Sequence, residues 1–141
     1  MPSPDASQVA PFSGAKLALF VGDALVVILR DDKPDIPWPG HWDLPGGGSE
    51  PGETPLDCVL RETHEEIGLA LSPAEVSWGT VYDRPQGPVW FFAAHLPAAR
   101  ATEIVLGDEG QEWRLMSPED YIAHPLAIPN FVKRLRDYLN R

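Results

Sequence analysis

The chain has 141 residues, 43% of them hydrophobic and 23% charged, and a formal charge of -10 from 21 acidic and 11 basic side chains. That is enough chain for one folded domain and too apolar for a disordered one. The acidic balance repels duplex nucleic acid and anionic lipid, the single Cys58 excludes an internal disulfide and a cysteine-based zinc site, and no apolar run reaches membrane-spanning length.

Residues 1–13 are rich in Pro, Ser and Ala and are expected to form a loose tail, leaving 14–141 as a single domain. The tail has neither the basic flank nor the apolar stretch of a secretory signal, so a cytoplasmic protein is expected. Two apolar runs, residues 16–21 and 24–30, flank Gly22-Asp23 and predict a β-hairpin with a type II′ turn. Residues 31–48 hold four prolines and four glycines and predict a long loop. A helix is expected from Thr54 to about Ile67, with Thr54 as N-cap, Pro55 in the first turn and Gly68 as the stop. Strands follow at 76–83 and 89–96, joined by the turn Arg84-Pro85-Gln86-Gly87, and a short strand at 112–116. A brief helix begins near Ser117, and an amphipathic helix at about 129–139 places Phe131, Val132, Leu135 and Leu139 on one side. Strands and helices intermix without regular βαβ alternation, so the expected class is α+β with a mixed sheet.

The chemistry concentrates in residues 47–69. At about 100° per residue, Glu62, Glu65 and Glu66 share one arc of the helix, beside an apolar arc of Leu56, Val59, Leu60, Thr63 and Ile67. Like charges at this spacing oppose one another. A hard divalent cation such as Mg²⁺ or Mn²⁺ removes that conflict, because it takes several carboxylates and a carbonyl as ligands. Leu44-Pro45-Gly46-Gly47-Gly48 lets the backbone approach a metal or phosphate, and Arg61 can hold a carboxylate bidentately.

The spacing resembles the Nudix box, in which a glycine, a loop glutamate, Arg-Glu, a Glu pair and a closing glycine recur at set intervals. Gly47, Glu53, Arg61, Glu62, Glu65, Glu66 and Gly68 match all seven fixed positions, and Leu69 fits the final aliphatic one. Seven chance matches come to on the order of one in 10⁸ per register. Thr63 stands where an aliphatic residue is commoner, a departure that concerns packing.

The resemblance implies an α/β/α sandwich with a mixed β-sheet. It also implies a metal-dependent hydrolase for a phosphoanhydride bond in a nucleotide, a small-molecule substrate in place of duplex nucleic acid or membrane, and a possible homodimer. By the same resemblance Glu62, Glu65 and Glu66 are metal ligands, with the carbonyl of Gly46. Glu53 supports the site through Arg61. The general base is either Glu62 or a loop glutamate. A further carboxylate comes from outside the box: Glu109, with Glu112 in reserve, because mutator-type triphosphatases of this family carry a similar Glu-Gly-Gln segment. Their base-reading asparagine corresponds to Asn130, whose other reading is an N-cap for the last helix. Arg30 is either a phosphate contact or a strand end, and Leu44 joins the substrate-binding set. The lean is toward nucleoside triphosphates, oxidised purines included, giving monophosphate and pyrophosphate. ADP-ribose, dinucleoside polyphosphates, nucleotide sugars and a non-catalytic nucleotide sensor are the alternatives.

Overall fold

The computed structural model describes residues 5–141; the first four residues of the expected tail lie outside it. The predicted hairpin forms β1 (Gly14–Val21) and β2 (Ala24–Leu29). Val21 pairs with Ala24 and Phe20 with Leu25, so the loop is the two-residue Gly22-Asp23. Gly22 has φ +62° and Asp23 does not have a positive φ, as a type II′ turn requires.

The hairpin ladder stops after those two pairs, and the strands part. Residues 31–48 are less of a loop than expected, because β3 (Trp42–Asp43) and β4 (Gly46–Gly48) fill the fork. β3 pairs antiparallel with β2, and β4 antiparallel with β1, with Lys16 opposite Gly46. Glycine makes the wedge possible: Gly46 has φ +131°, and a Cβ there would lie 2.1 Å from the Ala15 carbonyl oxygen. The other edge of β1 carries an eight-pair parallel ladder with β6 (Val89–Leu96), and β6 pairs antiparallel with β5 (Val76–Tyr82). The final strand, β7 (Glu112–Met116), pairs with the free edge of β2.

Central strands buried on both faces read as continuous apolar runs, and alternate residues feed two cores. On one face Leu17, Leu19, Val26, Ile28, Trp90 and Phe92 pack with helix α1 (Pro55–Ile67). On the other, Ala18, Phe20, Leu25, Val27, Phe91 and Ala93 pack with α2 (Pro118–Ala123) and α3 (Pro129–Leu139). The result is the α+β sandwich with a mixed sheet that the sequence predicts.

Helix α1 begins and ends on its predicted residues. Thr54 Oγ1 accepts from Asp57 N at 3.0 Å, and Gly68 closes the helix at φ +69° with its N–H bonded to the His64 carbonyl. Thr63 is fully buried, and its hydroxyl donates to Val59 O at 2.6 Å, which removes the cost of placing a polar side chain at an aliphatic position. The described part of the N-terminal segment is bound to this helix: Leu56 N donates to Ala6 O at 3.0 Å, and Ala6 and Phe12 pack against the core. In α3 the buried residues are Arg134, Leu135 and Tyr138, whereas Leu139, expected on the inner side, is 43% exposed. The helix meets the sheet with a face rotated toward Tyr138, whose ring packs against Phe20 and Trp78. Among the described residues no helix is long and apolar enough to cross a membrane.

Candidate active site

Helix α1 presents its glutamates to the glycine wedge in the hairpin fork. Glu62, Glu65 and Glu66 line one cavity of about 600 Å³ together with Gly46, Gly47 and Gly48. Gly46 N donates to Glu66 Oε1 at 3.1 Å. A Cβ at Gly47 would fall 2.6 Å from a Glu62 carboxylate oxygen, so only glycine leaves room for this approach.

Arg61 ties the helix glutamates to Glu53 and the glycine loop. Its Nε and Nη2 grip Glu53 Oε2 and Oε1 at 2.6 and 3.1 Å, Nη2 also reaches Gly48 O at 2.9 Å, and Nη1 reaches Glu62 Oε1 at 2.8 Å and Glu65 Oε2 at 3.2 Å. The guanidinium beside Glu53 holds its carboxyl below the usual carboxylate range, and the paired carboxylates raise the Arg61 pKa in turn. Glu53 keeps only 11% of its side-chain exposure. Removing its partner strands a nearly buried charge, so Arg61→Ala is expected to lower stability by about 2 kcal/mol. Urea unfolding measures this, and Arg61→Lys, which keeps charge without the fork, should recover less than half.

The loop after β6 supplies two more carboxylates. Val105 N bonds to Ile67 O at 2.9 Å and Gly107 N to Glu66 O at 2.8 Å, which ties residues 105–107 to the last carbonyls of α1. Gln111 then fastens the far end: its N–H donates to Leu29 O and its amide to Arg30 O, both at 2.8 Å. Between these anchors Asp108 and Glu109 border the same cavity as the helix glutamates. Glu112 does not; it lies in β7, bonded to Arg114.

Three residues that border the site carry no motif signal in the sequence: Lys16, Asp43 and Asp108. Lys16 Nζ donates to Asp43 Oδ1, Leu44 O and Gly46 O at 3.0, 3.2 and 3.0 Å. Asp43 is buried and also accepts from Arg30 Nη1 at 2.8 Å and from Leu44 N at 2.7 Å. A lone lysine in an otherwise apolar strand was the available signal for Lys16. Arg30 borders this cavity and a smaller adjoining one, with its Nε held by Pro37 O at 2.8 Å. Leu44, expected in the substrate-binding set, instead has its side chain wholly buried in the second core and away from the cavity lining, so only its backbone takes part, through Lys16.

Burial, with Asp43 and Glu62 nearby, pushes the Glu66 carboxyl up to about 8, although Lys16 and the Gly46 N–H pull the other way. Cys58 is buried beneath the glycine loop, where burial and the neighbouring carboxylates push its thiol up to about 12, an environment that disfavours the thiolate.

Asn130 is not a helix cap. Helix α3 starts at Pro129, its N-cap is Ile128, and no side chain caps it. Asn130 instead lines a second cavity of about 480 Å³, which shares Lys16, Gly47 and Gly48 with the first. Trp42 belongs to the core, while Trp38 sits on the surface loop against His41.

Among the described residues no three carboxylate, imidazole or thiol groups converge as a formed metal cage. Glu62 is turned toward Arg61, and Glu66 toward Gly46. The donor chemistry nevertheless fits a hard cation. Every candidate ligand at the cavity is an oxygen, and the ammonium of Lys16 already rests as a cation among Asp43 Oδ1, Leu44 O and Gly46 O.

Comparison with known proteins agrees with this geometry. An RNA pyrophosphohydrolase of Francisella tularensis is 39% identical over 88 residues, covering 57% of this chain and 50% of that protein. The chain thus spans about half the length of the first curated relatives it matches. The nucleoside triphosphatase NudI of Escherichia coli is 27% identical over 117 residues, covering 76% of this chain and 82% of that one. The crystal structure of a C. elegans Ap4A hydrolase shares the fold at a TM-score of 0.71 and 22% identity, covering 90% of this chain and 96% of that one. Residues 13–139 match the NUDIX domain family. With nearly the whole chain inside that match and the box glutamates gathered on one glycine-lined cavity, this protein belongs to the NUDIX domain family.

Proposed function

We propose that residues 14–141 form a pyrophosphohydrolase domain that uses Mg²⁺ or Mn²⁺ to cleave a phosphoanhydride bond of a nucleotide. The observation that carries this is the meeting of Glu62, Glu65, Glu66 and Glu109 with Gly46–Gly48 on one cavity, continuous with the cavity of Asn130. Gly46, through its carbonyl, and Glu62, Glu65, Glu66 and Glu109 are the residues that would hold the ion. When bound, the ion neutralises phosphate charge and lowers the pKa of an attacking water.

The chain does the rest. Arg61 holds Glu53 and the Gly48 carbonyl, so the glycine loop keeps its register against α1. A carboxylate at the cavity, Glu62 or Glu109, takes the proton of the water. Arg30, with one guanidinium nitrogen free of partners among the described residues, faces the phosphates. Asn130 offers both a donor and an acceptor to a base edge. An acidic protein tolerates a polyanionic substrate because cations stand between the two sets of charges.

The preferred substrate class is nucleoside triphosphates, oxidised purines included, giving monophosphate and pyrophosphate. The test is a panel of nucleoside triphosphates, ADP-ribose, dinucleoside polyphosphates, nucleotide sugars and 5′-triphosphorylated RNA, with products identified. Turnover of none of these in Mg²⁺ or Mn²⁺ leaves only a nucleotide-binding domain. Asn130→Ala is expected to reduce kcat/KM for purine triphosphates by about tenfold while changing pyrimidine triphosphates less than twofold, the scale of one hydrogen bond to a base. Equal loss on both removes Asn130 as a base reader.

A further inference from the structure

The second cavity carries a charge that the base-reading role of Asn130 leaves unexplained. Arg134 lines it, and the residue is only 7% exposed. Among the described residues its guanidinium has no ion pair and no hydrogen bond; its company is the rings of Tyr82 and Phe131, at 5.1 and 5.7 Å. The nearby Asp137 is engaged elsewhere, accepting from the Tyr82 hydroxyl at 2.8 Å. No described side-chain nitrogen or oxygen is both sealed and unpartnered, so the guanidinium nitrogens, which have no partner, keep a small accessible surface on a side chain that lines this cavity. Arg84 borders the same cavity and adds a like charge. No carboxylate lines it, in a protein whose net charge is -10.

An unpaired, nearly buried guanidinium is a costly arrangement unless an anion completes it, because burial removes its water and its neighbour repels it. The carboxylate cavity next door gathers Glu62, Glu65, Glu66, Asp108 and Glu109, so an anion there needs cations among those acids beside Arg30. This second one is cationic without help. The two share Lys16, Gly47 and Gly48, so one ligand can occupy both.

We infer that the second cavity is a subsite for a further phosphoryl group of the substrate, carried on the nucleoside away from the scissile anhydride, with Arg134 as its specificity-determining contact. This rests on the pyrophosphohydrolase reading and narrows it. The substrate class becomes nucleoside 5′-polyphosphates that also bear a phosphoryl group on the ribose 3′ oxygen. That group is either a terminal 3′-monophosphate or the first internucleotide phosphodiester of an RNA chain. Arg134 bonds its oxygens as a fork, and Arg84 adds attraction at the rim.

Calorimetric titration with guanosine 3′,5′-bisphosphate and guanosine 5′-monophosphate tests the subsite in magnesium buffer. Neither ligand contains an anhydride, so neither turns over. The 3′-phosphate is expected to tighten binding about tenfold or more, the scale of a charge-assisted hydrogen bond. Arg134→Met should cut that gain below about twofold, and Arg134→Lys should keep part of it. No gain in the wild type, or an undiminished gain in a folded Arg134→Met, overturns the proposal and leaves the two rings as the sole reason for the arginine. If Arg134→Met does not melt cooperatively, the wild-type comparison and Arg134→Lys still decide the matter.

Hydrolysis separates the two sources. Guanosine 5′-triphosphate 3′-monophosphate and a 5′-triphosphorylated dinucleotide are each compared with GTP by kcat/KM. Advantage of the first over the second assigns the subsite to mononucleotides, and the reverse assigns it to RNA ends. No advantage of either over GTP, with GTP itself turned over, overturns the subsite alone. A 3′-phosphate binding gain without turnover of any anhydride overturns the hydrolase reading alone.

Discussion

Glu66→Gln is expected to reduce kcat by about 10²- to 10³-fold, the loss found when one group that stabilises transition-state charge is removed. The same substitution should make the metal-free protein more stable at alkaline pH, and the pairing of these opposite effects is diagnostic. The amide retains the acceptor that Gly46 N uses at 3.1 Å, so the glycine wedge stays docked. What disappears is an ionisable group that burial pushes up to about 8.

The sign follows from proton counting. Between the ordinary carboxylate pKa and about 8, the folded wild type holds a proton on Glu66 that the unfolded chain has released. Stability from this group is therefore fully present at low pH and is lost as pH rises through that window, by up to about 1.4 kcal/mol per pH unit. Urea unfolding in chelator at a series of pH values should show this decline in the wild type and a flatter curve in Glu66→Gln. Added Mg²⁺ or Mn²⁺ should restore wild-type stability at high pH and do much less for the variant. Wild-type turnover in the variant, or the same pH slope in both proteins, contradicts the role of Glu66.

Gly46→Ala is expected to destabilise the fold by about 3–5 kcal/mol, from overpacking and a left-handed backbone together. A Cβ there meets the Ala15 carbonyl oxygen at 2.1 Å and Lys16 Cα at 2.7 Å, both backbone atoms of β1. That strand cannot retreat, because its other edge is held by the full parallel ladder to β6. Gly52→Ala is the control. Its φ is +77°, but nothing lies within 4 Å of the new methyl group, so only about 1 kcal/mol is expected. Gly47→Ala should fall between them in stability yet cost far more activity. There the obstacle is the Glu62 carboxylate, a side chain that can move away and lose its place. Similar unfolding curves for Gly46→Ala and Gly52→Ala refute the account of the hairpin fork.

Much of this site was legible because its parts lie close in sequence. The 3.6-residue period alone puts Glu62, Glu65 and Glu66 on one arc, and local chemistry alone sets the helix ends at Thr54 and Gly68. The hairpin turn and α1 are local in the same sense, and both formed on their predicted residues. Structure and local expectation part where a distant partner decides the outcome. Residues 42–48 lack strand propensity, yet they pair because the parted edges of β1 and β2 leave unpaired backbone groups that must be bonded. Leu139 has the right spacing for an inner face, but Tyr138 is the residue that packs into the aromatic cluster, and the helix is rotated accordingly.

Composition, period and the box spacing were thus enough for the α+β class, the family and the helical glutamates, since each depends on residues within a few turns of one another. The tertiary structure alone brought Lys16 and Asp43 together across 27 positions and hung the loop that carries Glu109 from the last carbonyls of α1, through Val105 and Gly107. It also left Arg134 facing a cavity without a counter-ion. Those facts depend on which backbone edges and buried charges find partners after the chain closes on itself, and no periodicity along the chain encodes that.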